Sequence, residues 1–246
     1  MLDARSRLSY LKSHIKGAIL ADLFHYFVPG TDVDGLRRFQ DDLAKRLGKL
    51  GLKGHETIVV YESRFGMRAA RVAWMLEYAG LSRVSLLEGG FQNWAKSGFP
   101  VEVGGRSFDT RVFRVKPRGK ILATSNEVHS SKSAVILDVR SSGEFRGTES
   151  RECDKRKGRI PGAKWFEWTN FLHNSDRFKN SSEIRSALEE IGLTRDKAII
   201  TYCHRGARAA AAYYALRSLG YVNVKNYIGS WHEWSALDRL PIERNS

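Results

Sequence analysis

The chain has 246 residues, 42% of them hydrophobic, so it can bury a sizeable core and is no disordered tail. Its 41 Lys and Arg against 27 Asp and Glu give a net charge of +14, which asks for an anionic partner: nucleic acid, an acidic membrane surface or a small anionic substrate. Cys153 and Cys203 are its two cysteines; that excludes a disulfide framework and a zinc site of paired cysteines, and a reduced cytoplasmic protein is expected.

At the amino terminus Arg5, Arg7, Lys12 and Lys16 sit among interrupted apolar runs, without the hydrophobic region of a secretory signal. No later stretch matches a membrane-crossing helix, so no membrane partner is expected. Leu36, Phe39, Leu43, Leu47 and Leu50 recur at helical spacing, with Asp34 as the expected N-cap. The run Thr57 to Tyr61 is short and β-branched and reads as a buried strand, and a helix follows it to Gly80. Gly104-Gly105, Pro117 and scattered basic residues then break both periodicities. The expected division is a first domain over 1–105, a linker over 106–120 and a second domain over 121–246. In the second domain a helix is expected near Thr124 to Ser130, another through Ile184, Leu188 and Ile191, a strand at Ala198 to Tyr202 and a helix ending at Gly220. Strand and helix in alternation give an α/β fold, a parallel sheet with helices on both faces. The net charge is +4 through Thr110 and +10 beyond it.

The two halves repeat each other. Gly51-Leu52 and Gly192-Leu193, Ile58 and Ile199, Tyr61 and Tyr202, and Arg64 and Arg205 pair at an offset of 141. Gly66 and Gly206, Arg68-Ala69-Ala70 and Arg208-Ala209-Ala210, Gly80 and Gly220, Gly89 and Gly229, and Trp94 and Trp234 pair at 140. The one-residue shift falls at Phe65, inside the loop that follows Tyr61 or Tyr202. Leu2-Asp3-Ala4-Arg5 also resembles Leu137-Asp138-Val139-Arg140, but the first copy has nothing matching 113–137, so the first domain is expected to lack its amino-terminal segment.

Cys203 follows an apolar strand and precedes an alanine-rich helix, in Tyr-Cys-His-Arg-Gly-Ala-Arg-Ala-Ala. A loop around a helix N-terminus offers unpaired N–H groups and the positive end of the helix dipole, and Arg205 and Arg208 add charge. Such surroundings favour a thiolate, hence a nucleophile beside a seat for an anion. The first copy has Glu62 at that position, so the first domain should be inert and Cys203 should be partly exposed, because an unpaired buried carboxylate is costly.

These residues, with Arg-Ile-Pro-Gly-Ala at 159–163, Gly-Gly-Phe-Gln-Asn-Trp at 89–94 and Gly-Ser-Trp-His-Glu-Trp at 229–234, resemble the tandem-domain rhodanese family of sulfurtransferases over nearly the whole chain. The resemblance implies a five-stranded parallel sheet in each domain, an inactive first domain and a persulfide on Cys203. It implies that Cys203 takes the outer sulfur of thiosulfate, a small anionic donor, and passes it to a thiol or cyanide acceptor, with no metal or organic cofactor. Arg205 and Arg208 are then expected to hold the donor, and the N–H groups from Arg205 through Gly206 and Ala207 to Arg208 to cradle the persulfide. His204 is either a proton carrier or an exposed bystander. Asp138 and Arg140 read as an ion pair that fixes the loop. The family's mercaptopyruvate branch has a less charged loop and upstream arginines; here Glu144 stands where an arginine is common, and Arg146 or Arg151 could compensate. Thiosulfate is therefore preferred and 3-mercaptopyruvate is the alternative. Cys153 reads as a surface thiol or a partner for oxidised Cys203.

A cysteine phosphatase needs an arginine six residues after its cysteine, where this chain has Ala209. A non-catalytic binding module engaging RNA lacks the required interleaving of aromatic and basic residues, so no nucleic-acid partner is expected.

Overall fold

The computed structural model describes residues 1–105, 109–174, 176–179 and 181–244, so positions 106–108 of the expected linker lie outside it. Two compact units emerge: Met1–Phe27 with Arg37–Arg118 and His173–Arg177, and Val28–Leu36 with Gly119–Leu172 and Phe178–Ser246. The chain thus exchanges two short segments between units instead of dividing at one cut.

The first half contains β1 (Leu2–Asp3), α1 (Arg7–Lys12), β2 (His14–Ile15), β3 (Ile19–Leu20), α2 (Val33–Lys49), β4 (Thr57–Tyr61), α3 (Met67–Tyr78), β5 (Arg83–Leu86), α4 (Gly90–Lys96) and β6 (Val101–Glu102). Its main sheet is parallel, in the order β3-β1-β4-β5. Helix α2 starts one residue before the expected cap: Asp32, not Asp34, accepts the Gly35 N–H at 2.6 Å.

The second half contains β7 (Leu122–Ala123), α5 (Ser125–Ser130), β8 (Val135–Asp138), α6 (Ser142–Arg146), β9 (Lys164–Trp165), β10 (Leu172–His173), β11 (Arg177–Phe178), α7 (Ser181–Glu190), β12 (Ile199–Tyr202), α8 (Ala207–Ser218), β13 (Val224–Tyr227) and α9 (Ser230–Ala236). Its sheet is parallel and five-stranded, in the order β7-β13-β12-β8-β9. Strand β7 has no counterpart among the described residues of the first sheet, which has four strands where the family resemblance implied five.

Every residue of the central strand β12 is buried, which explains its unbroken apolar run. Helix α8 is buried nearly all round, and its alanines let it lie close against β12 and β13. Ile136, Ile160, Ile200, Tyr202, Tyr227, Trp231 and Trp234 form a core on the other face. Strands β8 and β12 end together at Asp138 and Tyr202, so the chain segments that follow them meet at the carboxyl edge of the sheet, where open α/β sheets place their sites.

Candidate active site

The residues after β12 form a loop around the N-terminus of α8. Gly206 caps the helix at φ +79°, and a Cβ there would stand 2.8 Å from the Ile228 carbonyl oxygen, so glycine is required twice over. Among the described residues, the N–H groups of Gly206, Ala207 and Arg208 have no backbone acceptor, which leaves them for an anion. The loop is pinned from the far side by the first turn of α9: Trp231 N–H donates to the Cys203 carbonyl at 2.9 Å and His232 N–H to that of His204 at 3.0 Å. Ser230 Oγ accepts the Cys203 N–H at 3.1 Å and lies 4.0 Å from its sulfur.

The first half has the same construction. Phe91 and Gln92 donate to the carbonyls of Glu62 and Ser63 at 2.8 and 2.9 Å. There the Glu62 carboxylate folds back into the loop and accepts the N–H groups of Arg68 and Ala69, both at 3.0 Å. Burial pushes the Glu62 carboxyl up, and those amides pull against it. The first loop therefore carries its own anion at the helix end where the second presents a thiol.

Cys203 is 1% exposed, which corrects the expectation of a partly exposed thiol. It directly follows a strand buried on both faces. Its surroundings are nonetheless polar: Ser230, the loop amides and Arg208, whose pKa burial lowers and whose pairing with Glu144 and the nearby Cys203 sulfur raise further than burial lowers it.

Arg208 makes a two-pronged ion pair with Glu144, at 2.6 and 2.9 Å. Burial alone would raise the Glu144 carboxyl, but Arg208 and the Ser141 N–H outweigh it and bring the pKa down to about 2. Glu144 also closes a capping box with Ser141 on α6, so it ties α6 to the start of α8. Arg146, on the same short helix, is exposed and makes no ion pair or hydrogen bond to the loop among the described contacts. Asp138 and Arg140 are both buried and pair at 2.6 Å, with Arg140 also donating to the Gly158 carbonyl and Tyr202 Oη to Asp138 at 2.5 Å. Asp3 and Arg5 repeat this pair in the first half, also at 2.6 Å.

His204 is 7% exposed, a correction to the exposed bystander. Its Nε2 lies 2.9 Å from Asp154 Oδ1 and 3.6 Å from Cys153 Sγ. Burial raises the Asp154 carboxyl, and the His204 contact more than reverses this, so it titrates below the usual carboxylate range. Arg205 Nη2 reaches Cys153 Sγ at 3.7 Å and His232 Nε2 at 3.3 Å. Burial, then the charges of Arg205 and His204, lower the His232 pKa. Asp154 had no signal in the sequence, and Ser230 and His232 stood there only within the motif at 229–234, with no role given to them: each reaches the loop from another element, and polar residues in a basic stretch or a short helix look like surface. A cleft of about 530 Å³ lined by Val135, Ile136, Lys132 and Lys197 lies at the amino ends of β8 and β12, and no loop residue lines it.

A parallel sheet recurs in each half, with Cys203 after a central strand of the second and Glu62 at the matching place in the first. The Rhodanese-like domain family matches residues 1–97 and 124–237, and the chain belongs to the rhodanese family. It is 32% identical, over 96% of its length and 87% of the relative's, to the sulfur carrier protein TtuD of Thermus thermophilus. It is 30% identical to a thiosulfate sulfurtransferase of Azotobacter vinelandii, covering 99% of this chain and 90% of the relative. A crystal structure described as a probable thiosulfate sulfurtransferase superposes with a TM-score of 0.79 at 32% identity, covering 98% of this chain and 96% of that one.

Proposed function

We propose that the protein is a thiosulfate sulfurtransferase that carries its sulfur on Cys203. The Cys203 thiolate attacks the outer sulfur of thiosulfate, the sulfur–sulfur bond of the donor breaks with its electron pair, and sulfite leaves. The persulfide so formed rests against the N–H groups of Gly206, Ala207 and Arg208 until a thiol or cyanide takes the outer sulfur and regenerates the thiolate. Arg205, half-buried at the rim, meets the donor dianion. Arg208 is committed to Glu144 and positions the loop instead of gripping the donor. Two unlinked thiols suit a reducing compartment such as the cytoplasm; among the described residues no helix is long and apolar enough to cross a membrane.

The observation that carries the reading is the Glu62 carboxylate: the equivalent loop of the first half holds an anion on its amides. A second reading has one observation in its favour. Cys153 is the exposed thiol of the two, with Arg205 beside it. Intact mass after incubation with thiosulfate, followed by peptide mapping, tests both. One added sulfur atom on the Cys203 peptide, absent in Cys203→Ser, is expected. Sulfur retained in Cys203→Ser and mapped to Cys153 would move the carrier to that residue. The same measurement with 3-mercaptopyruvate ranks the two donors.

A further inference from the structure

Beside the cysteine loop, Cys153, Asp154, His204 and His232 each place one sulfur, oxygen or nitrogen atom so that all four lie within 4.8 Å of one another. Cys153 Sγ is 3.6 Å and Asp154 Oδ1 2.9 Å from His204 Nε2, and Asp154 Oδ1 is 4.0 Å from His232 Nδ1. Bonds of about 2.0 to 2.3 Å to a tetrahedral ion separate its ligands by roughly 3.3 to 3.7 Å. The sulfur–nitrogen distance lies in that window, and the other two straddle it.

The hydrogen bonds inside the cluster do not account for it. His232 Nδ1 is buried with no partner, and at 4.0 Å from Asp154 it is too far for a hydrogen bond. The set has a specific chemistry. One thiolate and one carboxylate neutralise a divalent cation, and two neutral imidazoles complete four-coordination; sulfur and nitrogen donors select against magnesium and calcium. The outer contacts also fit. Asp154 Oδ2 accepts the Arg151 N–H at 3.2 Å, and the His204 and His232 backbones are joined by the bond that pins α9 to the loop.

We propose that Cys153, Asp154, His204 and His232 bind one zinc ion at the edge of the sulfur-transfer loop, a site the sequence alone did not suggest. Zinc on His232 Nδ1 places that ring's proton on Nε2, so Arg205 gives up its contact there and keeps the one to the Cys153 sulfur, a better acceptor as a metal-bound thiolate. Metal loading therefore moves the cation that meets the sulfur donor.

The test uses the full chain, stripped with a chelator and dialysed against micromolar zinc chloride. One zinc per chain is expected in the wild type and in Cys203→Ser, with affinity at least about tenfold weaker in Cys153→Ser and in His232→Ala. Cobalt(II) in place of zinc should give a thiolate charge-transfer band that Cys203→Ser keeps and Cys153→Ser loses. Circular dichroism confirms that each variant folds. Failure to retain zinc at micromolar concentration, equal retention in Cys153→Ser and His232→Ala, or a band that depends on Cys203 overturns the proposal. Because zinc is read without turnover, this result is independent of where thiosulfate leaves its sulfur.

Discussion

Two residues that touch Cys203 or its helix set what the loop can do. Glu144 has its folded pKa held down to about 2 against an ordinary value of 4.5, so its pairing with Arg208 stabilises the fold fully above about pH 4.5 and is lost as pH falls toward 2. Glu144→Gln leaves the Arg208 charge buried with a neutral partner and should cost about 3 kcal/mol near neutral pH. Urea titrations of both proteins check this: the wild-type advantage should shrink as the pH is lowered through that window. Ser230 is a non-glycine residue at φ +54°, and its Oγ accepts the Cys203 N–H and donates to the Tyr227 carbonyl. Ser230→Gly relieves about 1 kcal/mol of backbone strain but loses two hydrogen bonds, from the Cys203 N–H and to the Tyr227 carbonyl, each worth about 1 kcal/mol, so stability should fall by about 1 kcal/mol. Sulfur loading from thiosulfate should also slow, because the nucleophile's own backbone is no longer fixed; stopped-flow loading and a melting curve on one sample separate the effects.

The loop between β12 and α8 depends on a close approach between elements. Gly206→Ala puts a methyl group 2.8 Å from the Ile228 oxygen in a left-handed conformation, and both faults act on the first turn of α8. A loss of about 2 kcal/mol is expected, with sulfur loading abolished at temperatures where the variant is still folded, since the amides no longer converge. In the first half the matching loop carries a different cost. Burial raises the Glu62 carboxyl, so the folded state binds its proton more tightly than the unfolded chain does. Stability therefore falls as pH rises from the ordinary carboxylate range through the raised value. Glu62→Gln keeps an oxygen for both amides without the charge; it should be the more stable protein at neutral pH and load sulfur at the wild-type rate. A lower melting temperature for Glu62→Gln at neutral pH would contradict this account of the first loop.

Across the whole molecule, the net charge of +14 and its concentration in the second half favour the approach of a dianion. The rate of sulfur loading at low thiosulfate should fall several-fold between about 10 and 150 mM salt, as screening shortens the reach of that field, while transfer from the loaded protein to cyanide depends on salt less steeply. Loading rates measured against ionic strength check it.

The chain by itself determined the repeat, the alternation of strands and helices and the parallel pairing, because periodicity and a fixed offset are properties of order along a sequence. It also singled out the loop around Cys203, where strand, cysteine, glycine and helix follow one another directly. Tertiary structure alone decided what surrounds that loop. The pairing of Arg208 with Glu144, 64 positions apart, is one such contact. Asp154 and His232 arrive from an irregular segment and from α9, and Ser230 owes its place to a backbone turn that its residue type does not advertise. The burial of Cys203 was equally out of reach, since it follows from which elements cover the end of β12, and coverage is set by packing between segments distant in sequence.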